Sequence, residues 1–255
     1  MSFFSSKLTV RCALGLVLTS LVSSLVCIAK PALAGWCNYS GCSIGYSSHI
    51  NIVNNWWGVN GSGTSGSESI WTSGSSWGSV FNWTPGYSQY QVKTYPEAAD
   101  GWAWGGFNGS PFPYLVGGNG SAWTGVSNAH VWGGSYDMIW DSFFNYSNNP
   151  GYSNPQAELE VWVSASFGNF GYAYQTYVDG IKYDVNINRS GNWPIVTYVP
   201  ANGYNTGYNI NILDVSRDAA YHGFLSYSMW LLDIDFGAEI YYGNSSFNVG
   251  SYYAP

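Results

Sequence analysis

An antiparallel all-β sandwich or barrel is the fold class this sequence predicts. Short segments alternate apolar and polar residues, and clusters of Gly, Asn, Ser and Pro separate them. In "VDGIKY" the pair Asp179-Gly180 is a strong two-residue hairpin signal. Aromatic residues make up 19% of the chain and charged residues only 8%, a balance that suits pleated, half-buried strands.

In chain order the candidate strands are "SSHINIVNN", "SIWTS", "GSVFNW", "SQYQVKTY", "GSYDMIWDSF", "QAELEVWVSASF", "AYQTYVDG", "IKYDVNINR", "WPIVTYVP", "YSMWLLDIDFGAEIYY" and "SSFNVGSYY". One segment leaves the period of two. "NINILDVSRDAAYHGF" puts Ile212, Val215, Ala219 and Ala220 on one helical stripe with Gly223 near its end, as expected of one short helix packed outside the sheets. "NGSGTSGSES" (60–69) and "GGFNGSPFPYLVGGNGS" (105–121) read as loops, the second unusually long, and long loops on a sandwich often rim a cleft.

The first 34 residues read as an export signal. Lys7 and Arg11 lead into an apolar stretch, and Ala32–Ala34 ends it with small residues suited to cleavage. Residues 35–255 then form a single domain, and the expected location is secreted, extracellular and free of the membrane once the signal is cut. Lys93, Lys182, Arg189 and Arg217 are its only basic residues against all 14 acidic ones, a net charge of −10. Such a surface repels nucleic acid and anionic membranes, and a neutral partner is expected. Cys37 and Cys42 can close a small loop in an oxidising compartment. His49, His130 and His222 stand in three separate segments and suggest no metal site, and no cofactor motif is present. "GSSWG" (74–78) matches a hydrolase nucleophile elbow, but neither a buried parallel strand before it nor a helix after it is expected, so the match is chance.

The acids carry the chemistry. Along "AELEVWVSA" (157–165), Glu158, Glu160 and Trp162 share one strand face while Leu159, Val161 and Val163 share the other. "DIDFGAEI" repeats the design with Asp233, Asp235 and Glu239 in front and Ile234, Phe236 and Ala238 behind. "SYDMIWD" adds Asp137 and Asp141. Paired carboxyls on one face suit glycoside hydrolysis, although solvated acid on an exposed sheet face produces the same pattern.

Five strings in order resemble glycoside hydrolase family 12, the compact endo-β-1,4-glucanases and xyloglucanases. They are "NIVNNWWG" (51–58), "QVKTYPE" (91–97), "GSYDMIWD" (134–141), "AELEVWVSASFG" (157–168) and "DFGAEIYYG" (235–243). The resemblance implies a β-jelly roll of two curved antiparallel sheets with the concave one as cleft. It also implies hydrolysis of β-1,4-glucan, cellulose-like or xyloglucan, with retention through a covalent glycosyl-enzyme. Carried over by motif, Glu158 is the nucleophile and Glu239 the general acid and then base, while Asp137 sits beside Glu158. Asn55 and Trp57 bind a sugar, Trp57 by stacking, and Trp162 lines the cleft. The expected protein is a monomer acting on a neutral glucan without a cofactor. Two other readings remain open: a non-catalytic, lectin-like carbohydrate-binding sandwich, and a family 11-type xylanase.

Departures from the pattern concentrate in the cleft. Glu160 replaces the family's methionine two positions after the nucleophile, and Asp235 replaces a glutamine four residues before the acid. Both therefore join the expected substrate-binding set. The extra acid leads to an expectation of a low pH optimum and poor action on anionic glucans.

Overall fold

The computed structural model describes residues 34–255 except Trp104, Ser110, Asn169, Phe170 and Ser190; apart from Ala34, the expected export signal lies outside the described residues. Strands β1 (Gly35–Cys37), β2 (Ser43–Gly45), β3 (Asn51–Asn55), β4 (Gly66–Ser73), β5 (Ser76–Trp83) and β6 (Tyr95–Ala99) open the fold. β7 (Tyr114–Leu115), β8 (Trp123–Ser127), β9 (His130–Val131), β10 (Ser135–Asn145), β11 (Ala157–Ala165), β12 (Tyr174–Val178), β13 (Ile181–Asn188), β14 (Ile195–Pro200) and β15 (Asn209–Asn211) follow. Helix α1 (Ile212–Tyr221) precedes β16 (Trp230–Leu231), β17 (Asp235–Val249) and β18 (Ser251–Tyr253).

Two sheets share β17. Its first half, Asp235–Tyr242, pairs with β10, and its second, Gly243–Val249, pairs with β5. The first sheet runs β2-β3-β6-β17-β10-β11-β14-β13-β12, the second β1-β4-β5-β17, and β15-β8-β18 form a small third one. Gly243 makes the transfer between sheets possible. Its φ is +132°, and a Cβ there would lie 2.6 Å from the Gly134 Cα. This is the expected jelly roll, with one correction to its antiparallel character: β11 and β14 run parallel, Glu158 facing Ile195.

Alternation puts the core between the layers. Met138 and Trp140 on β10, Leu159 and Val161 on β11, and Phe236, Ala238 and Ile240 on β17 are all fully buried. Trp77 meets Phe247 of the neighbouring strand edge-on at 5.1 Å between centroids, and Phe236 of the other sheet edge-on at 6.5 Å. α1 buries Ile212, Leu213, Val215, Ser216, Ala219 and Ala220, the expected stripe enlarged by two residues. Its Asp218 accepts hydrogen bonds from Tyr198, Thr176 and Tyr174, which tie the helix to β14 and β12.

Local expectations fared differently. Asp179 and Gly180 turn between β12 and β13 with φ of +50° and +79°, as a two-residue hairpin requires. "GSSWG" lies at the hairpin joining β4 to β5, where no strand-to-helix elbow exists. "NGSGTSGSES" ends early as a loop, because β4 already begins at Gly66. "SQYQVKTY" is not a strand. The buried Lys93 ammonium donates to the Ser88 and Gln91 carbonyls and curls this stretch back on itself, so β6 starts only at Tyr95. The long 105–121 loop carries the two-residue β7 and is anchored by Arg217, which donates to the carbonyls of Val116, Gly118 and Gly120. A disulfide joins Cys37 to Cys42.

One core group is out of character. Glu68 on β4 is 1% exposed, and its carboxyl lies among Thr94, Ser79 and Trp83 without a contact that meets full hydrogen-bond geometry. Burial pushes it up to about 7, these neighbours offsetting part of the shift. A carboxyl raised in the folded state makes stability fall as pH rises from its unfolded value toward its folded one. Glu68→Gln is therefore expected to be near neutral for stability at about pH 4.5 and to add up to about 3 kcal/mol at about pH 8. Denaturant melts at the two pH values check this, and equal effects at both would contradict it.

Candidate active site

The face of the first sheet turned away from the core carries the acids. Asp137 on β10 lies opposite Glu239 on β17. Asp141 lies opposite Asp235 on one side and Glu160 on the other, and Glu160 is followed across the sheet by Thr197 on β14. Two acidic rows result, Glu239–Asp137 and Asp235–Asp141–Glu160. Between them Ile139, flanked by Gly237 and Trp162, packs with Tyr95 and Val199 in a small apolar cluster separate from the main core. Glu158 lies one step beyond the second row, opposite Phe143.

Each carboxyl has particular partners. The Tyr241 hydroxyl donates to Asp137 Oδ2 at 3.0 Å and lies 3.4 Å from Glu239 Oε2, bridging the pair. Glu160 Oε2 accepts from Trp162 Nε1 at 3.1 Å and from Thr197 Oγ1 at 3.0 Å. Glu158 Oε2 accepts from Trp193 Nε1 at 2.5 Å. Asp235 Oδ1 accepts from the Asp100 amide at 3.1 Å, and Asn55 Nδ2 donates to Glu97 Oε1 at 3.4 Å. Among the described residues, no group of three or more His, Cys, Asp or Glu side chains is arranged to hold a metal ion.

This geometry revises two expected roles. Asp137 does not adjoin Glu158: its opposite number on β11 is Ala165, and its close companions are Glu239 and Tyr241. Trp162, expected to line the cleft and bind substrate, is 5% exposed, donates to Glu160 and offers no open face for a sugar to stack on. Trp57, 58% exposed just past the end of β3, has such a face. Beyond Tyr241 the surface sinks into a depression of about 480 Å³ walled by Gln89, Tyr90, Ser135, Ser166, Phe167 and Tyr242.

Four participants escaped the sequence reading. Tyr241 was within reach of it, two residues past Glu239 on the same face. Glu97 and Thr197 needed the pairing of β6 and β14 to be known. Trp193 sits in the loop before β14, where no periodicity applies.

Every carboxyl on this face is raised, with burial as the largest cause. Glu239 is held well above the usual range by burial and then by the charges of Asp137, Glu160 and Glu158. Asp137 is raised by burial and Glu160, with Tyr241 and Glu239 opposing. Glu158 is pushed up to about 8 by burial and Glu160, and Asp235 to about 8 by burial and Asp100. Glu160 is raised by burial while its two hydrogen-bond donors pull it back. Glu158, Glu160 and Glu239 keep some solvent exposure, so the face is crowded by protein yet reachable from the cleft.

No family sequence profile matches the chain, and no curated protein sequence matches it. Solved structures do. The family 12 xyloglucanase from Bacillus licheniformis, in complex with ligand, superposes with a TM-score of 0.77 at 24% identity, over 86% of this chain and 98% of that one. Endoglucanase 3 of Trichoderma harzianum, from family GH12, gives 0.73 at 22% identity over 89% and 99%. The catalytic domain of Humicola grisea Cel12A gives 0.74 at 18% identity over 87% and 98%. The fold of this chain is the fold of those proteins.

Because these acids bind protons more tightly folded than unfolded, the native state holds the excess between about pH 4.5 and about pH 8, and stability falls as pH rises through that window. Unfolding at about pH 6.5 should release protons. Calorimetry in buffers of different ionisation enthalpy measures this, and net proton uptake would contradict it.

Proposed function

We propose that the protein is a secreted retaining endo-glycosidase that hydrolyses β-1,4-linked glucan, cellulose-like or xyloglucan, by double displacement between two glutamates. The observation that carries this reading is Glu239 paired across the strands with Asp137 under the shared Tyr241 hydroxyl, on the outer face of a fold shared with family 12 enzymes, where burial and neighbouring charge raise its pKa well above the usual range. Protonated Glu239 delivers its proton to the glycosidic oxygen while a carboxylate of β11, Glu158 by motif, attacks the anomeric carbon. Glu239 then takes a proton from the water that releases the sugar. Trp57 supplies a stacking face and Asn55 a polar contact on one side of the scissile bond. The crowded carboxylates favour a neutral substrate. Export by a signal cleaved after Ala34 belongs to the same reading.

Crowding raises the pKa of nucleophile and acid alike, so both limbs of the pH–rate profile move upward. The expected optimum therefore lies above the low pH that the acid count alone suggests.

Assays on xyloglucan, carboxymethylcellulose and mixed-linkage glucan, with the new anomer followed by NMR, test the reading. The β-anomer should appear first, whereas an initial α-anomer, or no cleavage of any β-glucan, would overturn it. Glu239→Gln should lower kcat by roughly 10²–10⁴-fold on a substrate with a poor leaving group. Asp137→Asn removes the charge that best keeps Glu239 protonated, so the alkaline limb should move to lower pH. A limb that stays in place would show that Asp137 does not govern Glu239.

A further inference from the structure

The geometry points to Glu160, rather than the motif position Glu158, as the nucleophile that attacks the anomeric carbon. This inference rests on the double-displacement reading and changes one actor in it. A retaining pair needs its carboxyls about 5–5.5 Å apart. Glu239 shares its row with Asp137, and the residue of β11 facing Asp137 is Ala165. Passing down β11 from there on the cleft side, Trp162 comes first, then Glu160, then Glu158. At about 3.3 Å per residue, Glu160 lies roughly 7 Å nearer that row than Glu158 does.

The hydrogen bonds agree. Glu160 receives Trp162 Nε1 and Thr197 Oγ1, both on Oε2, which favours its ionised form, fixes its plane and leaves Oε1 without a hydrogen bond among the described residues. Glu158 is drawn the other way, toward Trp193, whose ring packs edge-on to Phe143 at 6.2 Å. Asp141, directly opposite Glu160, is itself buried, and its Oδ1 has no hydrogen-bond partner among the described residues, so it donates nothing to compete for Glu160 Oε1 in its ionised form. Electrostatics point the same way, since Glu160 acts on Glu239 more strongly than Glu158 does and also acts on Asp137.

In the first step Glu160 Oε1 bonds to the anomeric carbon as its bond to the glycosidic oxygen breaks, and that oxygen takes the Glu239 proton. In the second, water bonds to the same carbon, gives its proton to Glu239 and displaces the Glu160 carboxylate. Both side chains end as they began.

A 2,4-dinitrophenyl 2-deoxy-2-fluoro-β-cellobioside traps the glycosyl-enzyme of the unmodified protein, and tandem mass spectrometry of the peptide spanning β11 locates the label. A label on Glu160 supports the assignment. A label on Glu158 overturns it and leaves the double-displacement reading standing. Failure to label, together with failure to cleave any β-glucan, removes the reading and this inference with it. In parallel, Glu160→Ala should lose on the order of 10⁴-fold in kcat and, given azide and an aryl β-cellobioside, should form the α-glycosyl azide. Formation of that product by Glu158→Ala instead would overturn the assignment.

Discussion

β10 lies between β17 and β11, and everything at the cleft depends on the register of those three strands. Their core faces bury Met138, Trp140, Phe236, Ala238, Leu159 and Val161 completely. A slip of one residue would turn those side chains to solvent and drive Asp137, Glu160 and Glu239 into the sandwich. The burial of apolar surface on one side therefore holds mutually repelling carboxyls together on the other. No cation contacts them: among the described residues the acid–base contacts join Arg217 to Asp214, His49 to Asp100 and His222 to Asp218, and of these only Asp100 borders a row, through its amide to Asp235.

Since charge neutralisation is absent from those rows, protonation and neutral donors do the work. Tyr241 serves Asp137 and Glu239 together, Trp162 and Thr197 serve Glu160, and Trp193 serves Glu158. Indole and hydroxyl donors satisfy a carboxylate without adding a positive charge that would bind anions, which fits the proposed uncharged ligand. The few basic residues are spent elsewhere. Lys93 and Arg217 organise backbone carbonyls, and Arg217 in particular orders the 116–120 stretch of a loop that has little structure of its own.

Period-two alternation was enough to read the strands, the two-faced acid segments and the 179–180 hairpin, because each of those features is local. The helix was legible for the same reason at a different period. What escaped depends on pairing between distant segments. Nothing in "AELEVWV" announces that β14 would lie parallel beside it and place Thr197 at Glu160. The partner of Asp137 was misjudged because motif order says which strands are neighbours but not how far one is shifted along the other. A shift of two residues moves a carboxyl about 7 Å along the sheet. "SQYQVKTY" failed for a third reason: its alternation is genuine, but the buried Lys93 ammonium needs carbonyls that only a curled backbone supplies.

Placing Asp137 against Glu239 also resolves a difficulty of acid crowding. For the proposed double displacement, equal raising of all carboxyls would leave no acid and nucleophile to tell apart at one pH. Here their surroundings differ. Glu239 shares the Tyr241 hydroxyl with Asp137 and stands against that adjacent carboxyl, so burial and repulsion raise its pKa well above the usual range. Glu160 has two donors of its own on one oxygen, which favour the ionised form. Environments that push two acids apart in pKa are what acid–nucleophile division of labour requires. On this face the difference arises from which donors each strand register brings within reach, so the shift of β10 along β11 sets the surroundings of each carboxyl as well as the packing.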